Sequence, residues 1–108
     1  MEYQRGLIET NIKIGKLTEE YAQAYRKWII LSRQDKSMLA ILMAGFEGSQ
    51  NSREMQALAS DKYCQFSDKL AIAEAEKITA KSRLDAEFAN HESYRTLVSL
   101  QKAEAQIL

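Results

Sequence analysis

From Ser52 to the last residue, Leu108, the chain has neither glycine nor proline, and alanine recurs throughout. Nothing there obliges a helix to stop. As one helix this half would span about 85 Å, at about 1.5 Å per residue. Strand signals are poor by contrast. The only alternating run is Ile8, Thr10, Ile12 and Ile14, and a lone strand would lack a partner. The expected fold class is therefore all-α: a long antiparallel helical hairpin that assembles into a helical oligomer.

The 108 residues make one domain at most, with 45% apolar and 28% charged positions, a folded balance. Lys and Arg together equal Asp and Glu, so there is no net charge. That argues against a strongly electrostatic DNA binder and makes self-association easier. A single Cys64 forms no internal disulfide and is too little for a zinc site. Beside Tyr63 and Phe66 it reads as a half-buried thiol. The opening Met1-Glu2-Tyr3-Gln4-Arg5 leads into no apolar run. The run from Met38 to Phe46 is about half a membrane span. A cytosolic protein with no membrane partner is expected, in a bacterial host if phage-encoded.

The first segment, about Glu2 to Ala44, carries Leu7, Ile14, Leu17, Tyr21, Ala24, Trp28, Leu31, Met38 and Leu42 on one heptad line. Thr10 and Asp35 interrupt it. Gly15 permits a bend near residues 15–18, and Thr18 with Glu19 and Glu20 offers an alternative start. Around Trp28, Ile29, Ile30, Met38, Leu39, Ile41, Leu42 and Met43 the apolar surface widens beyond what one antiparallel partner helix covers. These eight are the candidate oligomer interface. The alternative is a monomer in which a broken first segment folds over its own middle.

Residues 45–51 form the punctuation, with Gly45 and Gly48. Asn51 with Glu54 suggests a capping box, so a second helix is expected over about 52–106. At 100° per residue, Met55, Ala59, Phe66, Leu70, Ala73, Ala80, Leu84, Phe88 and Val98 share its packing face. A weaker line holds Ile72, Leu97, Leu100, Ile107 and Leu108. Apolar groups on more than one side of the last fifteen residues predict docking on a neighbouring subunit, or fraying.

No catalytic constellation, metal site or cofactor motif emerges. His91 is the only histidine and reads as solvent-facing or edge-of-core. Gly45-Phe46-Glu47-Gly48 lacks the Lys and Ser/Thr of a phosphate loop. No enzyme is expected. Lys62, Lys69, Lys77, Lys81, Arg83, Arg95 and Lys102 fall on one half of the second helix, and most acids on the other. Two readings stay open. These cations flank the packing stripe and pair with Glu9, Glu19 and Glu20. Or they form a track for single-stranded DNA, with Tyr63, Phe66, Tyr94 or Trp28 offering a stacking surface.

Two stretches carry a resemblance, over about a dozen residues. Lys77-Ile78-Thr79-Ala80-Lys81-Ser82-Arg83-Leu84-Asp85 resembles the basic helical stretch of phage UvsY-type recombination mediators, and Tyr25-Arg26-Lys27-Trp28 resembles a Tyr-x-Lys-Trp run there. The resemblance implies a small, helical, oligomeric accessory protein of DNA recombination or replication. It would bind single-stranded DNA and help a recombinase replace the single-strand-binding protein. It offers Lys77, Lys81 and Arg83 as DNA contacts. The other function class is a helical adaptor, inhibitor, assembly factor or secretion chaperone acting only on proteins.

Overall fold

A computed structural model describes residues 2–107. Three helices follow one another: α1 (Glu2–Ala44), α2 (Gln50–Leu58) and α3 (Asp61–Ile107). Among the described residues there is no strand. The expected all-α helical hairpin is what the chain forms. In each of two compact units, residues 2–23 with 78–107 and residues 24–77, α1 packs against α3.

The seam is a heptad line on both helices. On α1 it runs through Tyr3, Leu7, Thr10, Ile14, Leu17 and Tyr21 in the first unit. It takes Ala24, Trp28, Leu31, Asp35, Met38 and Leu42 in the second. On α3 it takes Tyr63, Phe66, Leu70, Ala73 and Lys77 in the second unit. Ala80, Leu84, Glu87, His91, Tyr94, Val98 and Gln101 follow in the first. All are buried or half-buried, at the steps of three and four that keep a side chain facing one partner. The α1 line is the one expected, polar interruptions included. Of the packing face expected over 52–106, three positions differ: Met55 in α2, Ala59 in the joint after it and Phe88 in α3 are exposed instead of packed. Of the weaker line, Ile72, Leu100 and Ile107 are exposed and Leu97 is half-buried, while Leu108 lies outside the described residues.

The boundaries have local causes. α1 is unbroken from Glu2 to Ala44, and Thr18 is no N-cap: its hydroxyl donates to the Ile14 carbonyl within the helix, at 2.7 Å. Gly48 at φ +115° turns the chain, a conformation that glycine alone adopts without strain. The next cap is Ser49, not Asn51: its Oγ accepts from the Ser52 N–H at 3.2 Å. The helix expected over 52–106 is interrupted at Ala59–Ser60. The Ser60 hydroxyl donates to the Ala57 carbonyl at 2.6 Å and accepts from the Tyr63 N–H at 3.3 Å. One residue thus closes α2 and caps α3, whose first turn carries Asp61. Fully buried Ala57 anchors α2 in the second unit.

Among the described residues, each unit has a polar pair between two residues of the seam itself, besides the exposed ion pairs Arg83–Glu20 in the first and Lys27–Glu76 in the second. In the first, Thr10 Oγ1 lies 2.7 Å from His91 Nδ1 and also contacts the Gly6 carbonyl at 2.9 Å. A hydroxyl has one proton. With that proton on the carbonyl, His91 Nδ1–H donates to Thr10. In the second unit Tyr63 Oη donates to Asp35 Oδ1 at 2.9 Å. That bond, with some burial and the Asp35 charge, raises the Tyr63 pKa above its usual 10.0.

Two predictions follow from this packing. A Cβ on Gly6 would overlap the Tyr94 ring, whereas one on Gly15 meets nothing within 4 Å. Gly15→Ala should stabilise by about 1 kcal/mol, raising Tm by about 4–8 °C. Gly6→Ala should destabilise by about 1–2 kcal/mol, and combining it with Tyr94→Ala should cancel the overlap penalty. Thermal unfolding of these three variants and of Tyr94→Ala alone checks both signs. The second prediction concerns pH. Tyr63 holds its proton more tightly folded than unfolded, so its contribution is complete below pH 10.0 and lost as pH rises through the raised folded value. Asp35→Leu should return Tyr63 to the ordinary range in a phenol-ring NMR titration. It should also flatten the loss of stability above pH 10.0 relative to the parent chain.

Candidate interaction surfaces along the seam

The seven expected DNA-contact cations are organised by the seam. Lys62, Lys69 and Arg83 each immediately precede a seam residue of α3, and Lys81, Arg95 and Lys102 each immediately follow one. Lys77 stands on the seam itself. The basic half of the helix is therefore the half turned toward α1, with every one of these cations but Lys77 exposed along the flanks of the seam. Long aliphatic stems suit that place, because they cover the edge of the packing while the charge stays in water.

Several of these cations have partners. In the second unit Lys77 Nζ sits 3.6 Å over the Trp28 ring. Exposed contacts of this kind contribute about 0.5–1 kcal/mol. In the first unit Arg83 reaches Glu20 at 3.4 Å, Lys81 reaches Asp85 at 2.8 Å, and Arg95 reaches Glu92 at 2.8 Å. Lys81 Nζ also lies 5.7 Å from the Tyr21 ring centre. Its pKa is raised, first by the Asp85 hydrogen bond. Of the acids expected as partners on α1, Glu20 serves, and Glu9 and Glu19 form no ion pair among the described residues. Lys62, Lys69 and Lys102 are exposed and form none either.

The aromatic groups expected to stack on bases are engaged in packing. Phe66 is buried and Tyr94 is seated against Gly6. Tyr63 is bonded to Asp35, and Trp28 lies under Lys77 with Tyr25 tilted beside it at 5.7 Å. Of the eight candidate interface residues, Trp28, Met38 and Leu42 are on the seam, and Ile29, Leu39 and Met43 are half-buried beside it. Ile30 and Ile41 alone among the eight are exposed. Cys64, expected half-buried, is exposed, because its position lies just off the seam next to Tyr63.

His91 occupies the edge of the core, paired with Thr10. Its spacing from Leu84 and Val98, seven residues each way, was the available signal for a seam position. Two shallow grooves open along the hairpin of the first unit. One, of about 440 Å³, is lined by Lys13, Lys16, Leu17, Glu20, Arg83, Ala86 and Glu87. Its mixed charges favour no single ligand sign. The other, of about 370 Å³, is lined by Leu7, Ile8, Asn11, His91 and Arg95. Beside it Ile8 and Ile12 are 64% and 58% exposed, one helical turn apart. Among the described residues, no three His, Cys, Asp or Glu side chains gather as metal ligands. Among the same residues no helix is long and apolar enough to cross a membrane.

No protein-family model, no curated protein and no solved structure matches this chain.

Proposed function

We propose that this chain acts without chemistry of its own, as a helical hairpin that docks on another protein. The observation that supports this reading best is the exposed pair Ile8 and Ile12 beside the Leu7–Asn11–His91–Arg95 groove. Such a pair, one turn apart on a helix, suits the apolar side of a partner helix. Arg95 and Asn11 at its edge would supply the polar rim.

A second reading is the accessory role in DNA recombination or replication that the resemblance implies, with single-stranded DNA and a recombinase as partners and the chain working as an oligomer. Lys62 and Lys69 favour it, being one heptad apart on the same flank and without ion pairs. Lys77, Lys81 and Arg83 support it less, since each is already engaged within the chain.

The two readings separate in one titration. Fluorescence anisotropy of a labelled single-stranded oligonucleotide at low salt should stay flat on the docking reading. A shift that falls with salt and disappears in Lys62→Glu/Lys69→Glu would overturn it in favour of the DNA role. In the positive arm, a protein partner co-purified with the parent chain should be lost from Ile8→Glu/Ile12→Glu. The helical circular dichroism of that variant should be unchanged, because both side chains already face water.

A further inference from the structure

His91 has one ring nitrogen engaged and one open. Thr10 Oγ1 donates its only proton to the carbonyls of Gly6 and Leu7, at 2.9 and 3.1 Å. The hydrogen in the 2.7 Å contact between Thr10 Oγ1 and His91 Nδ1 must therefore sit on Nδ1. In the neutral ring Nε2 is then a bare lone pair, with no hydrogen-bond partner among the described residues. Nor is it enclosed. His91 is half-buried, and among those residues the buried side-chain nitrogen or oxygen left without a partner is Arg53 Nε alone. Nε2 thus meets water, on a ring that Thr10 holds in place.

The surroundings of that lone pair suit an anion. His91 lines the groove of about 370 Å³ with Leu7, Ile8, Asn11 and Arg95, and none of the five is acidic. Arg95 stands one helical turn after His91. It reaches Glu92 through Nη1 alone, at 2.8 Å, and its side chain is 63% exposed, so its other N–H groups stay unengaged. Asn11 adds a side-chain amide. Glu87, the acid one turn before His91, lines the other groove and accepts from Asn90 at 3.5 Å.

We propose that His91 Nε2 is a phosphoryl acceptor, loaded from an acyl phosphate carried by another protein. The donor's approach rests on the docking reading, with Ile8 and Ile12 as the apolar contact. The transfer balances without a proton moving. The Nε2 lone pair attacks phosphorus and an N–P bond forms. The P–O bond to the acyl group breaks, and its electron pair leaves on the donor's carboxylate. Nδ1–H stays on Thr10. The ring becomes a cation, and Thr10 Oγ1 accepts a stronger hydrogen bond from it than from the neutral ring. Arg95 and Asn11 hold the phosphoryl oxygens as charge spreads over them. Activation belongs to the donor, because one guanidinium and one amide are not the phosphate cradle and metal ligands that a nucleoside triphosphate takes.

Phosphoramidate, which needs no docking, tests the acceptor on the full chain. Its P–N bond breaks as the N–P bond to the ring forms, and ammonia leaves. Phosphorus NMR should show a single phosphohistidine, the Nε2 isomer, stable in alkali and lost in acid. His91 is the only histidine, so the signal has one source. Arg95→Ala should slow its formation about tenfold, with helical circular dichroism unchanged because that side chain faces water. Absence of phosphohistidine, an equal mixture of Nδ1 and Nε2 isomers, or an unchanged rate in Arg95→Ala would each overturn the acceptor site. Docking is read separately, on the partner lost from Ile8→Glu/Ile12→Glu, so either can fail alone.

Discussion

The register of α1 on α3 is the constraint on which everything else depends. Two helices that meet along a heptad seam can slide by seven residues and still set aliphatic groups against one another. The polar pairs remove that freedom. In the first unit a slide of one heptad would carry Thr10 to Leu84 or Val98 and leave the His91 nitrogen without its hydroxyl. In the second it would separate Tyr63 from Asp35. An orphaned buried polar group costs about 1–3 kcal/mol, a large fraction of the 5–15 kcal/mol that holds a typical domain together. That penalty weighs more here because, among the described residues, no large side chain is fully buried. The apolar seam brings the helices together, and Thr10–His91 and Asp35–Tyr63 decide where.

This division explains which features were legible in the sequence. The α1 line from Leu7 to Leu42 was readable because its period is strict and its neighbours are polar. The loop was readable from Gly45 and Gly48. The α3 face was read with 100° per residue, whereas a seam that stays on its partner follows seven residues in two turns. The two diverge by about 20° per heptad. Over a helix as long as Asp61–Ile107 that drift moves a residue from the seam to its flank, which is why Phe88 is exposed. His91 and Glu87 were hidden for a different reason: a polar residue at a heptad position looks like a solvated one until its opposite number is known.

The joint at Ala59–Ser60 was not legible as a breaker because it contains none. A helix normally ends where glycine or proline makes continuation costly. Here Ser60 makes ending inexpensive instead, by satisfying the Ala57 carbonyl and the Tyr63 N–H with one hydroxyl. Ala57, with no exposed surface, contributes the complementary term: a side chain small enough to let α2 lie close against its unit. Composition carries no trace of either, since serine and alanine also occur inside the helices of this chain.

The charge pattern changes meaning once the seam is fixed. Seven cations on one half of a helix suggest a track for a polyanion only if that half faces outward. On α3 it faces α1, so the pattern is also the ordinary signature of long basic side chains bordering a packed strip. A polyanion track on α3 would have to run along the flank of the seam, where Lys62 and Lys69 stand exposed and form no ion pair among the described residues.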